Sequence, residues 1–569
     1  MRLSRDARLA AVLGALVVAL PARAQDSLTA APTEVRCRGQ TISDIEVITH
    51  SPYEGARQRW LRAPLRVLAA LHANTRPSVV RRFLLLQLGT PCDERLRSES
   101  ERLLRTQPYI ARAAIRTVED GAGGVKLVVE TTDEVSAVLS AGTSGAKVNG
   151  AKIGNRNLAG SGTFGLAEWR RGDIRSTYGL QLVDYQFLGR PYIFDVGVAR
   201  REIGSPTWHA DLAHPFLTDE QRVAWRASAA EEHEVFRFSR GANLDAATLG
   251  IEREFFDVGG VVRIGLPGRL SLFGMSVSRE SDAAGLPPVI DSTVDYPTLL
   301  APYARRSNAR VNALWTVRNI YYRRVERFDA LTAAQDVRLG FQFGTLLGRS
   351  LTILGTTDDD FLLAADMFVG AGGERTYMRV NLRAEGRQNY DSNRWDGILG
   401  SGGLALYRRT ADRHTLVTNV DWSGGWRQRI PFQLSLGDDR GGVRGYRRSR
   451  LTGARRAVAR IEDRWYLGRF LNQADIGLSF FTDAGRLWAG DAPYGVNTGL
   501  RFGAGFGVLA AVPPGSKRMW RVDFGFPLSN DDRAKWTVRL STVNANRVEW
   551  REPRDLTRGR ERVVPTSVF

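Results

Sequence analysis

Leu500-Arg501-Phe502-Gly503-Ala504-Gly505-Phe506-Gly507-Val508 is the stretch that sets the fold class. Leu500, Phe502, Ala504, Phe506 and Val508 alternate with Arg501, Gly503, Gly505 and Gly507. Successive strand residues point to opposite faces, so this strand has one apolar face and one polar or glycine face. Arg521-Val522-Asp523-Phe524-Gly525-Phe526 and Trp536-Thr537-Val538-Arg539-Leu540-Ser541 repeat the rule. A soluble β-sandwich alternates too, but a dry core does not accept faces that carry Arg and Asp. A water-filled β-barrel lumen does. Period two begins at about Val135 and runs to Asn544, with short and long connections in turn. At roughly 25 residues per strand and connection, 135–544 is expected to be a transmembrane β-barrel of sixteen antiparallel strands.

The start of the chain agrees with export. Arg2, Arg5 and Arg8 precede the apolar run Leu9 to Leu20, and Ala22-Arg23-Ala24 is a small-x-small cleavage site. Residues 1–24 therefore read as a signal peptide. The run is too short to cross a bilayer as a helix. The charge is +19, from 80 Lys+Arg against 61 Asp+Glu. A basic chain suggests nucleic acid. Here the arginines are spread over an exported chain, so lumen lining and anionic lipid headgroups fit better and nucleic acid is excluded. Aromatic richness (24 Phe, 15 Tyr, 13 Trp) suits interfacial girdles. Cys37 and Cys92, the only cysteines, both precede residue 135 and suffice for one disulfide in an oxidising compartment. Two Cys and six scattered His provide no metal set, and no cofactor is expected.

Residues 36–134 read as a small α/β domain. Thr41 to Ile48 alternates as a strand. Thr75 to Leu88 has helical spacing at Val79, Val80, Phe83, Leu84 and Leu88, and Gly89-Thr90-Pro91 stops it. Asp93 caps a second helix with Leu96, Leu103 and Leu104 on one face. Ile110 to Val118 and Val125 to Thr131 are strands joined by Asp120-Gly121-Ala122-Gly123-Gly124. Gly160-Ser161-Gly162-Thr163-Phe164-Gly165 fits G-x-G-x-x-G, yet no helix follows it, so its glycines serve a turn and a strand edge. Asp358-Asp359-Asp360 reads as an acidic loop tip.

A second stretch carries the candidate site. In Gly441-Gly442-Val443-Arg444-Gly445-Tyr446, Arg444 stands between glycines that permit a tight turn. The following strand, Ala457 to Tyr466, holds Glu462 with Arg460 and Arg464 on one parity. The next, Asp475 to Gly485, puts Gly477, Ser479, Phe481 and Asp483 on the face opposite Ile476, Leu478 and Phe480. Neighbouring strands lie about 5 Å apart, so Glu462 and Asp483 face one lumen within reach of a single guanidinium. Arg444, folded back, would bridge both as a charge-assisted pair. Asp463 has outward parity, an awkward place for a charge unless it lies at the membrane rim.

These motifs resemble the BamA/TamA-like outer-membrane assembly superfamily. The β-α-α-β-β order of 36–134 resembles a POTRA domain. Val443-Arg444-Gly445-Tyr446, Glu462 and Phe481-Thr482-Asp483-Ala484-Gly485 resemble the family's V-R-G-[FY] loop, its glutamate and its F-x-D-x-G strand. The resemblance implies a surface-antigen-type member in the Gram-negative outer membrane: one POTRA domain in the periplasm, then a sixteen-stranded barrel. It implies a lumenal latch of Arg444, Gly445, Tyr446, Val443, Glu462 and Asp483, supported by Gly441, Gly442, Phe481 and Gly485. It implies a protein that assists insertion or translocation of proteins or other envelope components. Its partners would be outer-membrane lipids, unfolded outer-membrane or secreted clients, and periplasmic chaperones or accessory proteins. The chain departs from the exporters of this family, which carry two POTRA units and a plug helix. Residues 545–569 form a charged tail, so either Lys535 to Asn544 closes the barrel or the closing strand lies later.

Two other functions compete with this one. A passive channel or loop-presenting barrel would use the scattered arginines for anion preference. An enzyme would need a nucleophile with its base. There is no G-x-S-x-G elbow, and none of the six His has a nucleophile at recognisable spacing, so the chain reads as no enzyme.

Overall fold

The computed structural model describes residues 34–54, 69–70, 72–144, 147–241, 244–437, 441–446, 449–529, 535–544 and 552–560. The expected signal peptide, 1–24, lies outside them. Two units are seen: a small α/β domain and a closed β-barrel.

The first unit runs β1 (Ile42–His50), α1 (Pro77–Arg81), α2 (Glu94–Thr106), β2 (Ile110–Glu119) and β3 (Val125–Asp133). Its sheet order is β1-β3-β2, with β1 parallel and β2 antiparallel to β3. Asp93 caps α2, its carboxylate accepting from the backbone N–H of Arg95 at 2.8 Å and of Leu96 at 3.1 Å. The expected helix over Thr75 to Leu88 is cut down to the five residues of α1. The reason is tertiary: the Leu85 N–H donates to Ser100 Oγ on α2 at 2.8 Å, which takes it out of a helical ladder. The bend still buries Phe83 and Leu86 against Val80, Leu104, Ile115 and Val129. Each such side chain contributes about 1.5–3 kcal/mol when fully buried. Cys37 and Cys92 are bonded, with Cα atoms 5.0 Å apart, tying the lead-in segment to the turn before α2.

The barrel has twenty strands among the described residues, from Ala137–Ser144 to Thr537–Asn544, with the last beside the first. The expected number was sixteen. That estimate assumed one strand pitch throughout, but the six strands from Ala137–Ser144 to Thr207–His214 are only eight or nine residues long, with short connections. The far wall is much taller: Ala247–Leu266 has 20 residues and Arg306–Glu326 has 21. Alternation maps onto outside and inside. Phe480, Phe502 and Phe506 are exposed on the outer surface, whereas Ser479 and Asp483 are buried inside. Asp358, Asp359 and Asp360 do not form a bare acidic tip. Asp360 is fully buried between Arg310 (2.7 Å) and Arg429 (3.0 Å), Asp358 meets Arg429, and Asp359 meets Arg349.

The α/β domain sits against one rim of the barrel. Arg105 donates to both carboxylate oxygens of Asp336, at 2.8 and 2.7 Å. Arg102 donates to the Leu217 carbonyl at 2.7 Å and lies 4.1 Å over the Tyr322 ring. Ser516 Oγ donates to Glu134 (2.7 Å) from the turn before the strand Arg518–Pro527. Beside it, Lys517 is buried with its Nζ donating to the carbonyls of Arg105 and Ile110. Burial pushes the Lys517 ammonium down to about 7, helped by Arg105 and opposed by Glu134 and Asp336. At the turn Leu158–Gly160, the Gly160 carbonyl accepts from the Arg76 N–H at 3.0 Å. A Cβ on Gly160 would stand 2.1 Å from the Asn74 carbonyl oxygen, so this glycine serves a close approach of domain and barrel.

At the other rim the chain makes its longest excursion, 427–454, which dips into the lumen and forms the small ribbon Leu434–Ser435 with Thr452–Gly453. Thr537–Asn544 pairs with Arg518–Pro527 as the last strand. Beyond it, 552–560 lies inside the lumen and includes the helix Arg554–Gly559.

Candidate functional site

The loop 441–446 enters the lumen with its turn fixed by glycine. Gly441 (φ +87°) and Gly445 (φ +95°) take the left-handed conformation that L side chains avoid. The turn aims Arg444 at the wall. Its Nε and Nη2 donate to Asp483 Oδ2 and Oδ1 at 2.8 and 2.7 Å, a two-pronged pair. Its backbone N–H donates to Asp483 Oδ2 at 3.0 Å, and its Nη1 donates to Glu462 Oε2 at 2.8 Å. The guanidinium lies 3.5 Å over the Phe481 ring. Asp483, on Ala474–Trp488, and Glu462, on Arg455–Phe470, are therefore brought to one cation, as their parity predicts. Their register is diagonal: Asp483 stands opposite Arg460, and Glu462 opposite Phe481.

Glu462 serves three cations. Arg464 Nε donates to it at 2.6 Å, and Arg521 donates through Nη1 and Nη2 at 2.9 and 3.0 Å. Arg521 also holds Asp523 at 3.0 Å. Arg460 Nη2 donates to the carbonyls of Gly441 and Gly442 at 2.6 and 2.9 Å, fastening the loop backbone to the wall. Parity puts Arg460 and Arg464 on the lumen face but assigns them no role, and it assigns Arg521 and Asp523 none. Arg521 reaches Glu462 from a strand three positions round the barrel, and alternation fixes a face, not a cross-lumen partner. Asp463 points outward, where it accepts from the Trp465 indole at 2.5 Å.

Val443 and Tyr446 complete the anchorage. Val443 is fully buried with Leu434, Leu436, Val458 and Leu487. Tyr446 Oη donates to the Phe502 or Ser529 carbonyl (3.0 and 3.1 Å) and accepts from the Ser529 N–H at 3.2 Å. The wall beneath the loop is a lane of glycines. A Cβ on Gly485 would stand 2.5 Å from Val443 Cγ2, one on Gly503 2.2 Å from the Arg444 carbonyl oxygen, and one on Gly525 2.9 Å from the Gly445 nitrogen. These three belong to three consecutive strands. The loop can lie this close only because no side chain projects there. The arrangement holds a segment in place.

No protein-family description matches the sequence, and no curated protein does. Solved structures that are similar include BamA from Haemophilus ducreyi lacking POTRA domains 1-3, at 12% identity and TM-score 0.36, covering 88% of this chain and 84% of that one. CdiB from Acinetobacter baumannii is 10% identical at TM-score 0.38, covering 88% and 74%. CdiB from Escherichia coli is 13% identical at TM-score 0.39, covering 88% and 75%. At these scores the likeness carries no argument.

Proposed function

We propose that this chain is an outer-membrane protein of the BamA/TamA-like assembly type, which assists insertion or translocation of client proteins. The observation that carries this is the Arg444 clamp. The V-R-G-Y loop, the glutamate and the aspartate of F-T-D-A-G meet at one guanidinium, the arrangement the motif resemblance implies. The POTRA-like domain would face the periplasm and receive clients. β1 lies at one edge of its sheet; its start is bridged to the 89–92 turn through Thr41 and Pro91, and an incoming strand would pair beyond that bridge. β2, at the other edge, already carries a bridge between Glu34 and Val118. The closure of Ala137–Ser144 with Thr537–Asn544 joins strands of only eight residues, short of the roughly 9–11 that span a bilayer, and suits a working seam. A passive pore is disfavoured because the loop and 552–560 occupy the lumen.

Depletion of the protein followed by quantitative proteomics of the outer membrane tests the reading. Specific barrels or secreted proteins should fall, and Arg444→Ala should reproduce the loss while the variant itself is still exported. An unchanged outer membrane after depletion refutes it.

A further inference from the structure

The segment 552–560 fills a site inside the barrel as a ligand would. Leu556 is fully buried in the cluster that contains Phe432, Leu436 and Tyr446 of the 427–454 excursion and Leu399 of the wall. Arg560 is held by Glu385 at 2.9 Å, by Ser401 Oγ at 2.8 Å and by Glu552 of its own segment. Arg558 meets Glu234 at 3.1 Å. Five strands round the barrel from Glu385, Arg253 pairs with Glu280 and Asp282 and still donates to the backbone carbonyls of Arg558 (2.8 Å) and Arg560 (3.1 Å). A Cβ on Gly559 would stand 3.1 Å from the Phe432 ring, a tight fit. Pro553 abuts Gly441 of the clamp loop, where a Cβ would stand 2.9 Å from its ring. One short segment thus engages two stretches of the wall and the clamp loop.

We propose that 552–560 is a resident plug: a tethered self-ligand that closes the lumen and must leave before anything passes. Its site selects a short peptide by three features. These are an apolar recess for Leu556, carboxylates that take the arginines at 558 and 560, and the Arg253 fork that takes main-chain carbonyls whatever the side chain. The proposal does not depend on what the barrel transports.

Conductance of the purified full-length protein in planar bilayers tests it. Leu556→Asp puts a carboxylate in an apolar recess, and Arg560→Glu faces Glu385 with a like charge; neither alters a wall residue. Each should raise the time-averaged conductance several-fold over the parent, and so should a chain stopped after Asn544. Retention of the compact, detergent-resistant barrel form establishes that the point variants are folded, so the test stands even if the shortened chain fails to fold. A synthetic peptide spanning 552–560, added to either point variant, should return conductance toward the parent value; the same peptide with Leu556→Asp should not. The proposal is overturned if the folded point variants conduct like the parent, or if both peptides block equally, which would mark block by charge alone.

Discussion

At the residue scale the clamp is a shared-anion problem. Asp483 has a fully buried side chain and gives both oxygens to Arg444. Breaking such a buried pair costs about 3–5 kcal/mol, because one charge is left without its partner. Asp483→Ala should therefore free the 427–454 excursion to proteolysis in folded barrels and lower the urea midpoint. A loop as protected as in the parent would sink the clamp. Glu462→Gln should cost at least as much, since Arg444, Arg464 and Arg521 would then converge on a neutral amide. Gly503→Val should release the loop by collision with the Arg444 carbonyl, whereas Ala504→Val, one residue on and on the outward parity, should leave it latched. The same protease assay reads both. Most of this site was legible in the sequence. Parity alone placed Glu462 and Asp483 on the inner face, and the glycines at 441 and 445 marked a forced turn. The part that was not legible is Arg521 with Asp523, because a curved wall brings together residues whose strands are not neighbours. The lane of Gly485, Gly503 and Gly525 was visible as glycine on the polar parity, but its purpose needed the loop in place.

At the scale of elements, local signals were read well where they were self-contained. The Asp93 cap, the Asp120–Gly124 hairpin and the alternating strands all formed. They were read poorly where another element intervened. The expected helix after Thr75 loses its second half because Ser100 on α2 takes a backbone N–H from it. Docking of α2 on the rim carries its own pH signature. Lys517 is pushed down to about 7, far below an ordinary lysine near 10.4. A state in which it is exposed therefore binds more protons between those two values. Docked stability should rise with pH from about 7 to about 10, by up to about 1.4 kcal/mol per unit, and be flat below 7. Crosslinking of Arg105 on α2 to the Asp336 rim, followed from pH 6 to 10, should strengthen across that window. Lys517→Met should flatten the profile, and a pH-dependent Lys517→Met protein would assign the effect elsewhere.

At the scale of the whole molecule, the wall is lopsided. Eight-residue strands meet at the closure, and strands of 20 and 21 residues stand elsewhere in the wall. Strand count was misjudged for this reason: average pitch hides a run of short hairpins. If the short side is the working seam, a disulfide engineered between Ala137–Ser144 and Thr537–Asn544 should abolish rescue of a depleted strain when oxidised and restore it on reduction; rescue by the oxidised form would place the work elsewhere. The count has a further consequence. Twenty is even, and an even number of antiparallel strands returns the chain to the rim it started from. Asn544 accordingly ends opposite Arg518, whose Nη1 donates to the Val135 carbonyl at the start of the wall (3.0 Å). The continuation that fills the lumen thus sets out from the same doorway the α/β domain covers. A segment tied there by a few residues is presented to its site at an effective concentration on the order of millimolar. Any polypeptide arriving at that doorway from solution competes with an occupant that never dilutes, so delivery has to raise the visitor's local concentration to a comparable level, which a domain poised on the threshold is placed to do.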